Sequence, residues 1–285
     1  MTAKSINIAF LTLFIHRFRK SLLCLVLVYS SINVVNAETI RVAVASNFLK
    51  TAQQLVNLFE QQNEHKVELS SGSSGKLYLQ ITKGAPYDVF LSADSDKPNR
   101  LVQEGFATTK TKATYALGQL SLWLKSCKHN KANKQNNDWS FLKYDTINKI
   151  AIANPKLAPY GYASEQLLLK YQLNSSLKSK LLYPENISQV TQFAKIGVVD
   201  AAFVATSHSQ QLQTTNSENR NGCLLEISTK DYPTIEQQLV ILSNSKKQNT
   251  AHVFVNFLFS KKAQDLIKNM GYSLPSSAKI DQSFD

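Results

Sequence analysis

The sequence predicts an α/β protein divided into two lobes, and three observations carry that reading. Strand-like and helix-like segments alternate, two strand ends run into loops of small polar residues placed just before helices, and the pattern restarts halfway along the chain. Such alternation requires right-handed crossovers and a mixed, mainly parallel sheet flanked by helices in each lobe.

The elements follow in order. Residues 39–45 alternate and are β-branched, and Phe48, Leu49, Ala52, Leu55, Val56 and Phe59 then recur at helical spacing, with Ser46-Asn47 as the turn between them. A second strand over residues 66–70 enters Ser71-Gly72-Ser73-Ser74-Gly75, and Leu77, Tyr78 and Ile81 mark the next helix. Residues 89–91 form the third strand, and residues 119–124 another apolar one. The Lys- and Asn-rich stretch 126–137 has no periodicity and reads as an exposed loop.

Residues 149–153, 154–161 and 163–171 repeat strand, loop and helix, and 198–204 supply a further strand. Ala251, Phe254, Val255, Leu258, Phe259, Leu266 and Ile267 predict one long amphipathic helix ended by Gly271. The boundaries expected from this reading are residues 38–117 plus 239–285 for the first lobe and 118–238 for the second. The chain would cross near Leu117 and near Leu239.

Residues 1–37 contain no acid, and Lys4, Arg17, Arg19 and Lys20 precede a short apolar run, residues 22–28. That run is too short to span a bilayer, and Val35-Asn36-Ala37 offers the small-residue pattern of a cleavage site, so a cleaved export signal peptide is expected, an uncleaved anchor being the alternative because the basic region is long. Removing 37 of 285 residues leaves 248, enough for two lobes of ordinary size, and lowers the formal charge from +12 to +8. Export and the lack of a basic helix with interleaved aromatics argue against a nucleic-acid partner. Cys127 and Cys223 remain in an oxidising compartment and are expected to form one disulfide, two free buried thiols being the alternative.

Ser46-Asn47 and the Ser71–Gly75 loop are the candidate chemistry. Ser, Asn and Gly at a helix start leave backbone N–H groups pointing outward, with the positive end of the helix dipole behind them. The same residues serve as ordinary helix caps, so each alone is weak, but two such loops at strand ends fall where open α/β sheets bind ligands. Gly75-Lys76 lacks the spacing of a phosphate-binding P-loop. No Gly-x-Ser-x-Gly is present, and His65, His129, His208 and His252 lie far apart without metal-ligand spacing and read as surface residues, so the chain is not expected to be an enzyme. Asp88 and Asp94 flank a strand and are assigned to turns and caps.

The order of motifs resembles the periplasmic molybdate-binding proteins of ABC transporters, a family with the type II periplasmic binding protein fold. The resemblance rests on Val42-Ala43-Val44-Ala45-Ser46-Asn47-Phe48, on Ser73-Ser74-Gly75-Lys76-Leu77, and on the stretch from Gly84-Ala85-Pro86-Tyr87-Asp88 to Ser92-Ala93-Asp94. Asn154-Pro155 through Ala158-Pro159-Tyr160-Gly161 looks like the family's second-lobe ligand loop. The resemblance implies an oxyanion, molybdate or tungstate, held between the lobes by Ser46, Asn47 and Ser74 from one side and by Tyr160 and the backbone N–H of Ile187 from the other. It further implies a membrane permease as partner, no cofactor, and a monomer, which suits lobe closure. Some members carry a binding tyrosine where this chain has Ala205, and Tyr160 is expected to take over that contact.

A fully ionised dianion accepts many hydrogen bonds and donates none, so a cleft of donors favours it over a protonated phosphate. The competing readings are a binder of another tetrahedral oxyanion such as sulfate, and a periplasmic serine-dependent hydrolase using Ser74. An adhesion module built on the 126–137 loop is the third.

Overall fold

In a computed structural model the chain divides into Met1–Ala37 and Glu38–Asp285. The structure describes residues 37–127, 138–213 and 222–276. The expected signal peptide and almost all of the 126–137 loop therefore lie outside the described residues.

Strand β1 (Thr39–Ala45), helix α1 (Leu49–Glu60), β2 (Lys66–Gly72), α2 (Ser74–Thr82), β3 (Val89–Leu91), α3 (Asp96–Gln103) and β4 (Ala113–Gly118) follow in order. One residue later the chain enters β5 (Leu120–Leu124). Next come β6 (Ile150–Ala151), α4 (Pro159–Lys170), α5 (Asn174–Leu177), β7 (Leu181–Leu182), α6 (Ile187–Lys195), β8 (Ala201–Ala205), α7 (Ser209–Gln213) and β9 (Cys223–Glu226). Strand β10 (Ile235–Ile241) and helices α8 (Gln248–Leu258) and α9 (Lys261–Asn269) complete the chain.

Two five-stranded sheets result, ordered β2-β1-β3-β10-β4 and β7-β6-β8-β5-β9. Strand β1 is parallel to β2 and β3, while β10 runs antiparallel to β3 and β4. In the second sheet β6 is parallel to β7 and β8, while β5 runs antiparallel to β8 and β9. The one reversed strand in each sheet is the strand that the chain enters from the other lobe. Arriving from the neighbouring lobe, it enters its sheet at the edge where the parallel strands end.

Burial explains why β1 reads as a nearly continuous apolar run. Val42 and Val44 pack with Phe48, Leu55, Phe59 and Phe254 on one face, and Ala43 packs with Leu77, Tyr78, Ile81 and Phe90 on the other. The second lobe has its own core around Leu122, Phe141, Ile152, Leu167 and Phe203.

Two expectations are corrected. The long C-terminal helix is two helices, because Ser260 ends one and caps the next, its Oγ accepting the Ala263 N–H at 3.3 Å. The return crossing precedes Ile235, not Leu239, since Ile235 already pairs with Gly118. Glu236, Gln237 and Gln238 hide that strand from a hydropathy reading, although Gln237 is fully buried. Cys127 and Cys223 are joined as expected, with Cα atoms 5.3 Å apart, at the edge of the second sheet.

Candidate functional site

The parallel strands of both sheets end on a common cleft. Strand β1 gives way to a 3-10 turn, Ser46–Phe48, that leads into α1, and β2 gives way to Ser73 and α2. Opposite them stand the first residues of α4 and of α6, the latter capped by Asn186, whose side chain accepts the Gln189 N–H at 3.1 Å. Four helix starts therefore meet around one small cavity of about 10 Å³. Ser46, Asn47, Ser74, Tyr160 and Ile187 all line it, together with Ala45, Gly72, Ser73, Ala93, Ala158 and Pro159. No charged side chain is among them.

The donors follow from the hydrogen bonds already made. The Ser74 Oγ accepts the Ala93 N–H at 2.9 Å, which leaves the hydroxyl proton free to donate. Ser73 Oγ and Tyr160 Oη are buried with no hydrogen-bond partner. Burial, with the neighbouring Tyr272, Tyr115 and Tyr232, pushes the Tyr160 phenol well above its ordinary value, and the nearby Asn47 amide opposes that shift. The phenol is therefore a neutral donor. At Ile187, the first residue of α6, the backbone N–H has no intrahelical acceptor.

Asn47 contributes differently from what its side chain suggests. Its Nδ2 donates to Gln237 Oε1 at 2.8 Å and to the Tyr272 hydroxyl at 3.3 Å, so the amide is occupied in scaffolding. What Asn47 can offer a ligand is its main-chain N–H. Tyr272, its phenol pushed up to about 12 chiefly by burial, donates to the Asn47 carbonyl at 2.7 Å. Tyr115, also buried, donates to Gln237 Oε1 at 3.2 Å or to the Ser92 carbonyl at 3.0 Å. Sequence reasoning missed Gln237, Tyr115 and Tyr272, because isolated polar residues inside apolar strands or near the C-terminus carry no local motif.

His208 is also corrected. It is buried, not at the surface, with Nδ1 2.7 Å from Thr191 Oγ1 and Nε2 3.1 Å from the Asn47 carbonyl oxygen. Burial pushes its pKa down to about 4, Lys50 adds to the shift, and the Asn47 carbonyl opposes it. Asp88 keeps the structural role expected of it, its carboxylate accepting the Arg41 N–H at 2.7 Å and the Ser245 hydroxyl at 2.6 Å. Lys76 bridges the cleft instead of entering it, 3.0 Å from Glu185.

A larger cavity of about 420 Å³ adjoins the first and shares Ala93, Ala158 and Pro159 with it. Asp94 and Asp96 line it, the nearest cation being Lys97, which is paired with both. Carboxylates repel an anion, so the smaller cavity, walled by neutral donors and helix starts, is the better anion site. Among the described residues no group of three or more His, Cys, Asp or Glu could hold a metal ion, and no helix is long and apolar enough to cross a membrane.

The chain matches the bacterial extracellular solute-binding proteins over residues 40–273. It is 37% identical over 238 residues to the molybdate-binding protein ModA of Azotobacter vinelandii, covering 84% of this chain and 91% of that one. ModA of Rhodobacter capsulatus is 34% identical over 230 residues, covering 81% and 86%. The solved structure of the Azotobacter vinelandii periplasmic molybdate-binding protein superposes with a TM-score of 0.74 at 34% identity, covering 83% of this chain and 99% of that one. A sulfate-binding protein of Mycobacterium tuberculosis shares the fold with a TM-score of 0.70 at 17% identity. The chain is a bacterial extracellular solute-binding protein with the type II fold, standing within that family among the molybdate-binding proteins.

Proposed function

We propose that this protein is the substrate-binding component of an ABC importer, capturing molybdate or the similar tungstate in the periplasm and delivering it to a membrane permease. The observation that carries the reading is the meeting of four helix starts on a cavity lined by neutral donors, with Ser46, Asn47, Ser74, Tyr160 and the Ile187 N–H as the ligand set. Hydrogen bonds between neutral donors and a charged acceptor contribute about 1.5–3 kcal/mol each, so several together offset desolvation of the ion without a counter-charge. The names of the relatives above supply the anion.

Capture then proceeds by bending at the two crossings between β4 and β5 and between β9 and β10, as in other two-lobed binding proteins. Residues 1–37 would direct export and be removed, since β1 begins at Thr39. The serine-hydrolase reading loses support because the Ser74 hydroxyl meets the Ala93 N–H while His208 is engaged by Thr191 and Asn47.

Calorimetric titration of the mature protein with molybdate, tungstate, sulfate and phosphate tests the proposal. Tight binding of molybdate or tungstate alone is expected. Tight sulfate binding would change the ligand, and no binding of any oxyanion would remove the function.

A further inference from the structure

The second lobe touches the Ser46–Phe48 turn at two of its carbonyl groups. Ser188, the second residue of α6, donates its hydroxyl to the Ser46 carbonyl at 2.9 Å. His208, just after β8, meets the Asn47 carbonyl through Nε2 at 3.1 Å. Since a carbonyl can only accept, Nε2 carries a proton. In the neutral imidazole Nδ1 is then the acceptor, and the single Thr191 hydroxyl proton goes to it across 2.7 Å instead of to its other acceptor, the Ile187 carbonyl at 3.0 Å.

The groups facing His208 from the packed elements are Lys50 on α1, Thr191 on α6, and the Tyr272 hydroxyl that shares the Asn47 carbonyl. None is acidic, and burial together with Lys50 keeps the ring uncharged. His208 is thus a neutral donor buried where the lobes meet, and the ligand set does not use it.

These bonds bear on the anion through the peptide units they touch. The Ser46 carbonyl belongs to the same peptide as the Asn47 N–H, so a hydroxyl donating to the carbonyl polarises the N–H on the cavity side. The Asn47 carbonyl is likewise continuous with the Phe48 N–H. Both bonds span the two lobes, so they form only when the lobes meet. Helix α6 also presents its own first N–H, at Ile187, to the cavity. One helix start therefore touches both the ligand site and the turn opposite it.

We propose that Ser188 and His208 are positioning residues that clamp the second lobe onto the carbonyls of the Ser46-Asn47 donor turn, so that anion retention depends on them although neither touches the anion. The inference rests on the oxyanion-binding reading of this turn. It predicts a defined kinetic signature: the clamp forms after the anion has entered, so its loss speeds release and leaves entry unchanged.

The test is stopped-flow fluorescence of sodium molybdate binding and release for the wild type, Ser188→Ala, His208→Ala and His208→Gln. Folding is checked by the unfolding midpoint without ligand. The Gln amide nitrogen can stand where Nε2 stands, and Ser188 is only half-buried, so at least these two variants are expected to fold. Each Ala variant should release molybdate about two- to tenfold faster, with an association rate within about twofold of wild type. His208→Gln should restore most of the slow release.

Unchanged release in Ser188→Ala together with an unrescued or unaltered His208 pair overturns the clamp while leaving oxyanion binding intact. An effect confined to the association rate also overturns it. Failure of the wild type itself to bind molybdate, tungstate or sulfate removes the oxyanion reading and the clamp together.

Discussion

The Tyr160 hydroxyl stands directly over Gly118: a Cβ built on Gly118 would lie 2.3 Å from Tyr160 Oη and 2.9 Å from Ile235 Cγ2. Gly118 ends β4 at the first crossing between the lobes, so the same residue leaves room for a ligand donor and for the strand that returns. Gly118→Ala is expected to displace the phenol and weaken molybdate binding by at least about tenfold, the loss of one charge-assisted hydrogen bond. Calorimetry of the folded variant checks this, and an unchanged Kd would mean that the Tyr160 hydroxyl is not a ligand donor.

Tyr160 and Ser74 should respond to truncation with opposite effects on stability. The Tyr160 hydroxyl is buried and unpartnered, so Tyr160→Phe should leave the ligand-free protein as stable as wild type or slightly more stable, while affinity falls. Ser74→Ala leaves the buried Ala93 N–H without an acceptor and should cost about 1–3 kcal/mol of stability as well as affinity. Urea unfolding without ligand, paired with titration, separates the two. A Tyr160→Phe protein that is strongly destabilised would instead assign the phenol to the fold.

Gly75 lies where the lobes touch. Its N–H donates to the Leu157 carbonyl at 2.9 Å, and an added Cβ would stand 3.0 Å from that oxygen and 3.1 Å from the Leu157 Cα. Gly75→Ala should hold the lobes slightly apart and weaken binding, even though the side chain added is neutral and small. Small-angle scattering with and without molybdate should show a reduced ligand-induced compaction. Full compaction at wild-type affinity would argue that this contact is not needed for closure.

His208 gives the fold a specific pH dependence. Its folded pKa of about 4 lies below the ordinary histidine value of 6.5, so between these the unfolded chain binds a proton that the folded chain refuses. Its contribution is complete above pH 6.5 and is lost as pH falls towards 4, by about 1.4 kcal/mol per pH unit at most and about 3 kcal/mol in all. His208→Gln should flatten this part of the profile. Urea midpoints at pH 7 and pH 4.5 for both proteins measure it, and parallel profiles would exclude His208 as the cause.

The Cys127–Cys223 bridge joins positions 96 apart in the sequence at the edge of the second sheet. In the chain-entropy model, replacing both with Ser should cost about 4–5 kcal/mol of stability. Because the bridge sits at a sheet edge away from the helix starts, molybdate affinity of the folded variant should stay within a few-fold of wild type. A large loss of affinity would tie the bridge to the site.

Much of this was legible because local chemistry repeats along the chain. The alternation at Thr39–Ala45, the Ser-rich turns before helices and the Ala158-Pro159-Tyr160-Gly161 loop each announce themselves within a few residues, since strand period, cap preference and helix dipole are short-range effects. They sufficed for the α/β class, the two lobes and the donor turns at Ser46-Asn47 and Ser71–Gly75, whereas Tyr160 and Ile187 came from the resemblance to the molybdate-binding proteins. The disulfide was one of two readings open to the cysteine count and an expected export signal, free thiols being the other, and the structure joins Cys127 to Cys223.

What only the tertiary structure decided depends on residues far apart in sequence. Asn47 and Gln237 are 190 positions apart, and their hydrogen bond commits the Asn47 amide to the scaffold, leaving its main-chain N–H for a ligand. His208 looks like any surface histidine until Thr191 and the Asn47 carbonyl close around it. Gly118 matters only because a phenol more than forty residues later folds over it. The sequence determined which segments are strands and helices and which turns can donate to an anion, because those properties are local. The packing of one lobe on the other determined which donors remain free, because a hydrogen bond already made to a distant partner cannot also be given to a ligand.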